Sequence, residues 1–174
     1  MTQPLQTVRQ LAYVVRDLDA ALHYWTTELK AGPFFLFEHC ALLNQRFHGR
    51  PSNVDVSLAI GNSGDLQIEL IQQHNDEPSV YKEFLDAGRV GVHHFGLMPV
   101  DYAAACAHYR ELGYAAAFEC TVGGAPLSYF DTVKTLGHYT ELWDNSPVYK
   151  DLFLMVENAA KGWDGKDPVR KMAL

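Results

Sequence analysis

The stretch Gln10-Leu-Ala-Tyr-Val-Val-Arg-Asp17 and its counterpart His94-Phe-Gly-Leu-Met-Pro-Val-Asp101 decide how this chain is organised. Each reads as an apolar strand that starts at a polar residue and reaches an Asp seven residues later. Each Asp directly precedes a helical pattern, and its carboxylate is suited to accept the free N–H groups of the first helical turn. A strand, an Asp and a helix that recur in the same order predict an internal repeat.

The rest of each half supports the repeat, because each predicted helix is followed by strand-like segments. The helices are expected from Leu18 to about Lys30 and from Tyr102 to about Leu112. The strand-like segments are 34–42, 54–60 and 66–72 in the first half, and 114–121, 127–132 and 139–143 in the second. We therefore predict an α+β fold in which two tandem βαβββ modules form a curled sheet around one cavity.

The repeat also divides the chain. We expect the first module in residues 1–73, a linker with a short helix in 74–90, the second module in 91–146, and a C-terminal helix and tail in 147–174. The first module is the longer one, and its extra residues fall in 39–53, which is expected to be an inserted polar loop. The charged, Gly-containing end of the tail is expected to fray.

Composition excludes several classes of function. The chain has 174 residues and a net charge of −7, and its few basic residues are scattered, which argues against a nucleic-acid partner. The apolar runs are far shorter than a membrane helix needs, and the N-terminus shows no secretory signal. Three cysteines without metal-site spacing fit a reduced compartment. We therefore expect a cytoplasmic protein that binds a small-molecule substrate.

Four side chains occupy equivalent positions in the two modules. Gln10 matches His94 on the first strand, and Glu69 matches Glu141 on the last strand. Because successive strand residues point to opposite faces, all four can point to one side while their apolar neighbours point to the other. If the modules pack about a pseudo-twofold axis, the four meet in one cavity. One amide oxygen, two carboxylates and one imidazole suit a divalent ion such as Zn, Mn, Co, Ni, Fe or Mg.

The strand–Asp–helix openings, the Glu-Leu strands and the Gly91-Val-His-His94 strand resemble the vicinal oxygen chelate superfamily. That superfamily includes glyoxalase I, methylmalonyl-CoA epimerase, extradiol dioxygenases and bleomycin resistance proteins, and the resemblance covers roughly residues 8–144. It implies a glyoxalase-like fold with Gln10, Glu69, His94 and Glu141 at the four metal-ligand positions. A Gln-Glu-His-Glu set is similar to that of animal-type glyoxalase I, whereas the segment Ala31-Gly-Pro-Phe-Phe35 looks more like the epimerase branch.

The resemblance implies a divalent-metal-dependent isomerase or epimerase, which abstracts a proton α to a metal-bound carbonyl or thioester. It also implies that a glutamate, Glu141 in first place and Glu69 in second, serves as the base. Two alternatives stay open: a non-catalytic small-molecule binding protein of the same fold, and a metal-dependent lyase or dioxygenase. Extradiol dioxygenases use two His and one Glu, so a set with one His speaks against oxygen chemistry.

Further residues are expected to contact the substrate or to support the fold. The aromatic side chains Phe37, Tyr129, Tyr139 and Trp143 are expected to line the cavity and to favour apolar bulk, and Arg46 in the inserted loop is a candidate contact for the substrate. His93 is expected to face the other side of the sheet. We also expect a homodimer, because short loops leave sheet edges to cover and the family commonly pairs modules across chains.

Overall fold

The computed structural model of this chain describes residues 7–172. These residues form one mixed sheet of eleven strands, which curls around a buried interior and does not close into a barrel. Residues 1–6, which carry the prediction of no secretory signal, and residues 173–174 lie outside the described range.

The strands in chain order are β1 (Gln10–Val14), β2 (Phe34–Phe37), β3 (Leu43–Phe47), β4 (Arg50–Pro51), β5 (Val56–Ser63), β6 (Leu66–Gln73), β7 (Val92–Leu97), β8 (Ala116–Val122), β9 (Ala125–Phe130), β10 (Tyr139–Trp143) and β11 (Val169–Met172). The helices are α1 (Leu18–His23), which continues as a π-helical turn over Tyr24–Glu28, then α2 (Val80–Asp86), α3 (Tyr102–Glu111), α4 (Val133–Leu136) and α5 (Pro147–Ala160). In the described part of the chain, no helix has the length and apolarity required to cross a membrane.

The middle of the sheet consists of two similar halves. The full spatial order is β11-β2-β5-β6-β1-β7-β10-β9-β8-β3-β4. In each half the first strand lies parallel to the last one, β1 beside β6 and β7 beside β10, and the halves join where β1 and β7 pair antiparallel. The predicted α+β fold with a repeated βαβββ unit is therefore confirmed, whereas the residue boundaries of the modules stay a prediction.

The two capping aspartates start their helices as the sequence predicts. Asp17 accepts a hydrogen bond from the backbone N–H of Ala20, and Asp101 accepts one from that of Ala104, both over 2.9 Å. Each such cap stabilises a helix start by about 1 kcal/mol. The caps fix the point at which each chain segment leaves its first strand and turns onto the outer face of the sheet.

Both outer parts of the sheet differ from the prediction. Residues 39–53 are not simply a loop, because they contain β3 and β4, and β3 pairs antiparallel with β8 of the other half. The tail does not simply fray, because β11 pairs in parallel with β2. The physical reason is the same at both ends, since β2 and β8 would otherwise present a row of unpaired backbone N–H and C=O groups.

Because β3 covers β8 and β11 covers β2, uncovered sheet edges no longer argue for a homodimer. The strands now at the two ends, β4 and β11, have only two and four residues, and short edge strands template little further pairing. The homodimer itself stays a prediction, but it needs a reason other than uncovered edges.

Alternation along the strands separates an inner face from an outer face. Leu70 packs against α1 and Leu142 packs against α3, both on the outer face. The side chains one position earlier, Glu69 and Glu141, therefore point inward. The predicted separation of polar inner from apolar outer neighbours is confirmed at these strands.

A β-bulge lies at the centre of the sheet. His94 pairs with Ala12, but the next residue of β1, Tyr13, pairs with Val92, so His93 is the extra residue of β7. A bulge can turn two successive side chains towards one face. The His93 ring accordingly lies 5.0 Å from the ring of Tyr139 on the inner side of the sheet. The expectation that His93 faces the opposite side is therefore wrong, because strict alternation fails at a bulge.

Candidate metal centre

Four oxygen and nitrogen ligand groups converge at the middle of the inner face. The Nε2 atom of His94 lies 3.1 Å from Oε1 of Gln10, 3.3 Å from Oε2 of Glu69 and 3.1 Å from Oε2 of Glu141. These residues come from β1, β6, β7 and β10, which are the four adjacent central strands. Side chains that the sequence places at equivalent positions of the repeat therefore form one compact cluster in the structure.

The cluster is buried and its carboxylates lack well-aligned donors. Oε2 of Glu69 and Oε2 of Glu141 accept no hydrogen bond, although both lie at ion-pair distance from His94. Burial raises the pKa of Glu69, the neighbouring His94 opposes that rise, and the charge of Glu141 adds to it. Buried carboxylate oxygens without donors are costly unless a cation compensates them. Glu69, His94 and Glu141 offer ligand atoms within 4.8 Å of one another and could hold a metal ion.

The protonation state of His94 also indicates that the cluster needs a cation. Burial lowers the pKa of this imidazole, but the charges of Glu141 and Glu69 outweigh burial and raise it to about 9. At neutral pH the metal-free cluster therefore keeps a proton on Nε2, between three oxygen atoms. That proton occupies the place where a cation is needed, so a divalent ion would bind in exchange for it.

Gln10 is oriented by a residue that the sequence analysis did not single out. Its amide Nε2 donates to Oε1 of Gln67 over 2.8 Å, and this leaves the Gln10 oxygen pointing at His94. Both glutamines are buried, so neither amide can exchange this partner for water. Gln67 lies two positions before Glu69 on β6, and the period of a strand could have indicated that it shares the inner face.

His93 fixes the orientation of the His94 ring through the ring nitrogen that does not face the cluster. Its Nε2 lies 3.1 Å from the carbonyl oxygen of Val80, which can only accept, so Nε2 carries a hydrogen. Burial and the neighbouring His94 hold the pKa of His93 well below its usual range, so the ring is neutral and its Nδ1 has a free lone pair. That Nδ1 lies 3.0 Å from Nδ1 of His94 and accepts its hydrogen. The chain of hydrogen bonds directs the other nitrogen of His94, Nε2, at the cluster.

Two tyrosines complete the wall beside the cluster. The hydroxyl of Tyr81 donates to that of Tyr129 over 3.3 Å, and the ring of Tyr129 stands edge-on to that of His94, 4.9 Å away. Burial raises the pKa of both hydroxyls well above the usual range. Both therefore stay neutral and add no charge to the cluster.

The cluster opens into a small cavity that α5 closes. The free space is about 60 Å³, and Phe37, Tyr129 and Trp143 belong to its wall, where the sequence analysis expects them. The opposite wall carries Tyr149 and Phe153 of α5, and the ring of Phe153 stands edge-on to that of Trp143 at 4.9 Å. The repeat does not predict that α5 forms a wall of the cavity, because α5 lies outside both modules.

Two of the expected substrate contacts lie elsewhere. Arg46 is exposed on β3, and its guanidinium donates to the carbonyl of Gly49, because β3 extends the outer end of the sheet and does not cover the cavity. Tyr139 is buried on the inner face, but its ring packs against His93 and its hydroxyl donates to Glu83. The structure therefore does not bring these residues to the cavity wall.

Comparison of the sequence with known families gives a match over most of the chain. A family model described as the Glyoxalase/Bleomycin resistance protein/Dioxygenase superfamily matches residues 9–130, which is more than half of the chain. A comparison with curated proteins finds no match.

Solved structures of similar fold include several epimerases. Methylmalonyl-CoA epimerase from Mycobacterium tuberculosis aligns over 87% of this chain and 95% of its own, with a TM-score of 0.58 and 18% identity. A hypothetical protein from Bacillus halodurans aligns over 80% and 94%, with a TM-score of 0.57 and 16% identity. A Streptomyces coelicolor methylmalonyl-CoA epimerase variant in complex with 2-nitronate-propionyl-CoA aligns over 82% and 96%, with a TM-score of 0.52 and 18% identity. At these identities the likeness establishes the fold.

Proposed function

Because the chain belongs to the glyoxalase/bleomycin resistance protein/dioxygenase superfamily, we propose that it is a divalent-metal-dependent isomerase or epimerase. The observation that carries the proposal is the convergence of three side-chain oxygens on Nε2 of His94, inside a cavity. The similar solved structures named methylmalonyl-CoA epimerase support the reaction class, which is proton transfer at the carbon α to a carbonyl or thioester.

In this proposal Gln10, Glu69, His94 and Glu141 hold the ion. Three oxygens and one imidazole form a donor set that suits Zn, Mn, Co, Ni, Fe or Mg. When bound, the ion supplies a Lewis acid for the substrate carbonyl and stabilises negative charge on its oxygen. His93 does not join the set, because both of its ring nitrogens are already engaged, and the set therefore keeps a single His.

The two glutamates are proposed to move the proton. Glu141 takes the proton from the α-carbon, the C–H electron pair shifts into the enolate, and negative charge collects on the carbonyl oxygen. An epimerase must then return a proton to the opposite face of the planar enolate. Glu69 comes from the other half of the sheet and delivers that proton after taking it up from solvent, while Glu141 releases its own proton to solvent.

Solvent deuterium exchange tests the proposal. The purified protein, its metal content measured by elemental analysis, is incubated in deuterium oxide with acetoin, methylmalonyl-CoA and the hemithioacetal of glutathione and methylglyoxal. We expect deuterium at the α-carbon of at least one compound, detected by NMR, and little exchange after the metal is removed with a chelator.

Glu141→Gln should abolish this exchange, whereas Glu38→Gln, which alters an exposed carboxylate paired with Lys171, should leave it intact. If the metal-loaded protein exchanges no faster than the metal-free protein with every compound, the isomerase proposal is wrong. A non-catalytic binding protein would then be favoured.

A further inference from the structure

The cavity wall restricts the charge of any substrate. Apart from Gln10, Glu69 and Glu141, the residues that line it are aliphatic, aromatic or cysteine. Within residues 7–172 no lysine or arginine lines the cavity, so nothing in the described wall can pair with a substrate carboxylate or phosphate. The nearby tyrosine hydroxyls are neutral, and burial also raises the pKa of Cys120 well above its usual range.

The route into the cavity is apolar as well. Among the residues that line it, those that are partly exposed are Leu42, Leu58, Val122 and Leu152, and we name these four the aliphatic mouth. The mouth draws on both halves of the sheet and on α5. Because all four side chains are hydrocarbons, the part of a ligand that crosses the mouth gains most by being apolar.

The net charge of the metal-loaded cluster also favours an uncharged substrate. A divalent ion contributes two positive charges, Glu69 and Glu141 contribute one negative charge each, and Gln10 and a neutral His94 contribute none. The loaded centre is therefore electrically neutral. An uncharged substrate keeps it so, and transfer of the α-proton to a glutamate changes no total charge. A substrate with its own anionic group would place an unpaired charge in a closed, apolar space.

The size of the cavity limits the reacting end. One water-sized group needs about 10–15 Å³ of such space, so the 60 Å³ present leaves room for only a few non-hydrogen atoms. Tyr149 and Phe153 fill the remainder of the concave sheet from α5. A bulky or branched group around the α-carbon has no room unless α5 moves.

We infer that the substrate of this site is a small uncharged carbonyl compound with an α-hydrogen, whose apolar substituent leads out through the aliphatic mouth. This inference rests on the proposed function. The oxygens of the carbonyl end supply the chelating group, and Gln10, Glu69 and Glu141 are the only strongly polar residues of the described wall. A carboxylate on the substituent of the α-carbon is the feature that the cavity and its mouth reject.

A matched pair of probes tests the inference by binding alone. Butyrohydroxamic acid and succinic monohydroxamic acid share a chelating head and a four-carbon chain, and the second carries a carboxylate at the far end. Both are titrated calorimetrically into protein loaded with Co²⁺, whose visible spectrum reports that the head has reached the ion. We expect the uncharged-tail probe to bind at least tenfold more tightly, about 1.4 kcal/mol. Equal binding, or tighter binding of the carboxylate probe, would overturn the inference.

A positive charge placed in the mouth should weaken the preference for the uncharged-tail probe. Leu152→Lys puts an ammonium group at the rim and should strengthen binding of the carboxylate probe at least fivefold relative to the other. Leu154→Lys is the matched control, because Leu154 lies on the same helix with 53% of its surface exposed and does not line the cavity. If the Leu152 variant does not fold, Val122→Lys replaces it. Equal probe preferences in the mouth variant and the control would also overturn the inference.

Failure of the inference and failure of the proposed function can be told apart. Preference for the uncharged probe together with no deuterium exchange on any carbonyl compound would retain the ligand class and remove the enzymatic function. Deuterium exchange into methylmalonyl-CoA, together with tighter binding of the carboxylate probe, would retain the function and overturn the inferred substrate class.

Discussion

Replacement of Glu69 by Gln tests the metal centre most directly, because it keeps the shape of the side chain and removes its charge. In the wild type a divalent ion would be neutralised by two carboxylates, and in Glu69→Gln one positive charge would remain uncompensated in a buried site. A partner that only orients a ligand is worth about 10–100-fold in metal affinity, so loss of a ligand charge should cost at least about 100-fold.

The consequence can be measured by thermal unfolding. At a free metal concentration 100 times its Kd, the wild type gains about 2.7 kcal/mol. In a domain of this size that gain corresponds to about 5–11 °C in Tm. The variant, with affinity about 100-fold lower, gains only about 0.4 kcal/mol at the same concentration, or about 1 °C.

The assay is differential scanning calorimetry of chelator-treated protein with and without added Zn²⁺. Glu38→Gln serves as the control and should respond as the wild type does, since its carboxylate is exposed. Equal metal-induced shifts in Glu69→Gln and in the wild type would refute the assignment of Glu69 as a ligand. A wild type without any shift for Zn²⁺, Mn²⁺, Co²⁺, Ni²⁺, Fe²⁺ or Mg²⁺ would refute the metal centre as a whole.

Three further predictions concern the surroundings of the candidate metal centre. The pKa of His94 is raised to about 9, so its contribution to the stability of the metal-free protein is fully present below pH 6.5 and is lost as the pH rises through 9. Because a metal ion must displace the proton of His94, metal affinity should rise about tenfold per pH unit over that range. Calorimetry and competition titrations at several pH values check both trends, and a flat profile in each contradicts them. Gln67→Leu frees the amide of Gln10 and should lower metal affinity about 10-fold with little change in fold, so unchanged affinity in a chelator competition would exclude the orienting role. Gly96→Ala places a Cβ into the indole of Trp143 and should destabilise the protein by about 1–3 kcal/mol, a result that an unaltered midpoint in urea would contradict.

The sequence predicted the parts of this structure that repeat. A strand, a capping Asp and a helix occur twice, and the cost of leaving the first N–H groups of a helix unpaired makes that order physically specific. The equivalence of Glu69 with Glu141 followed from the same repeat, and period-two alternation then put both on one face. Superfamily membership, which the resemblance implied, is confirmed by the family model.

The parts that the sequence did not predict depend on contacts between distant segments. The pairing of β3 with β8 joins residues more than 70 positions apart, and no local pattern in 39–53 specifies that partner. The bulge at His93 breaks the alternation on which its predicted orientation rested. Arg46 was a candidate substrate contact only as part of a loop near the cavity, and that reasoning fails once its segment is a strand at the end of the sheet.

The helix α5 shows why the substrate is harder to infer from sequence than the ligands. The ligands lie on strands whose pattern repeats, but the space beside them is set by Tyr149 and Phe153, which come from a segment with no counterpart in the other half. Without α5 the inner face would be an open concave sheet, and the cluster alone would accept any chelating compound. With α5 in place, the same cluster lies behind a hydrocarbon rim, and the inferred preference for an uncharged substrate depends on the helix and the sheet together.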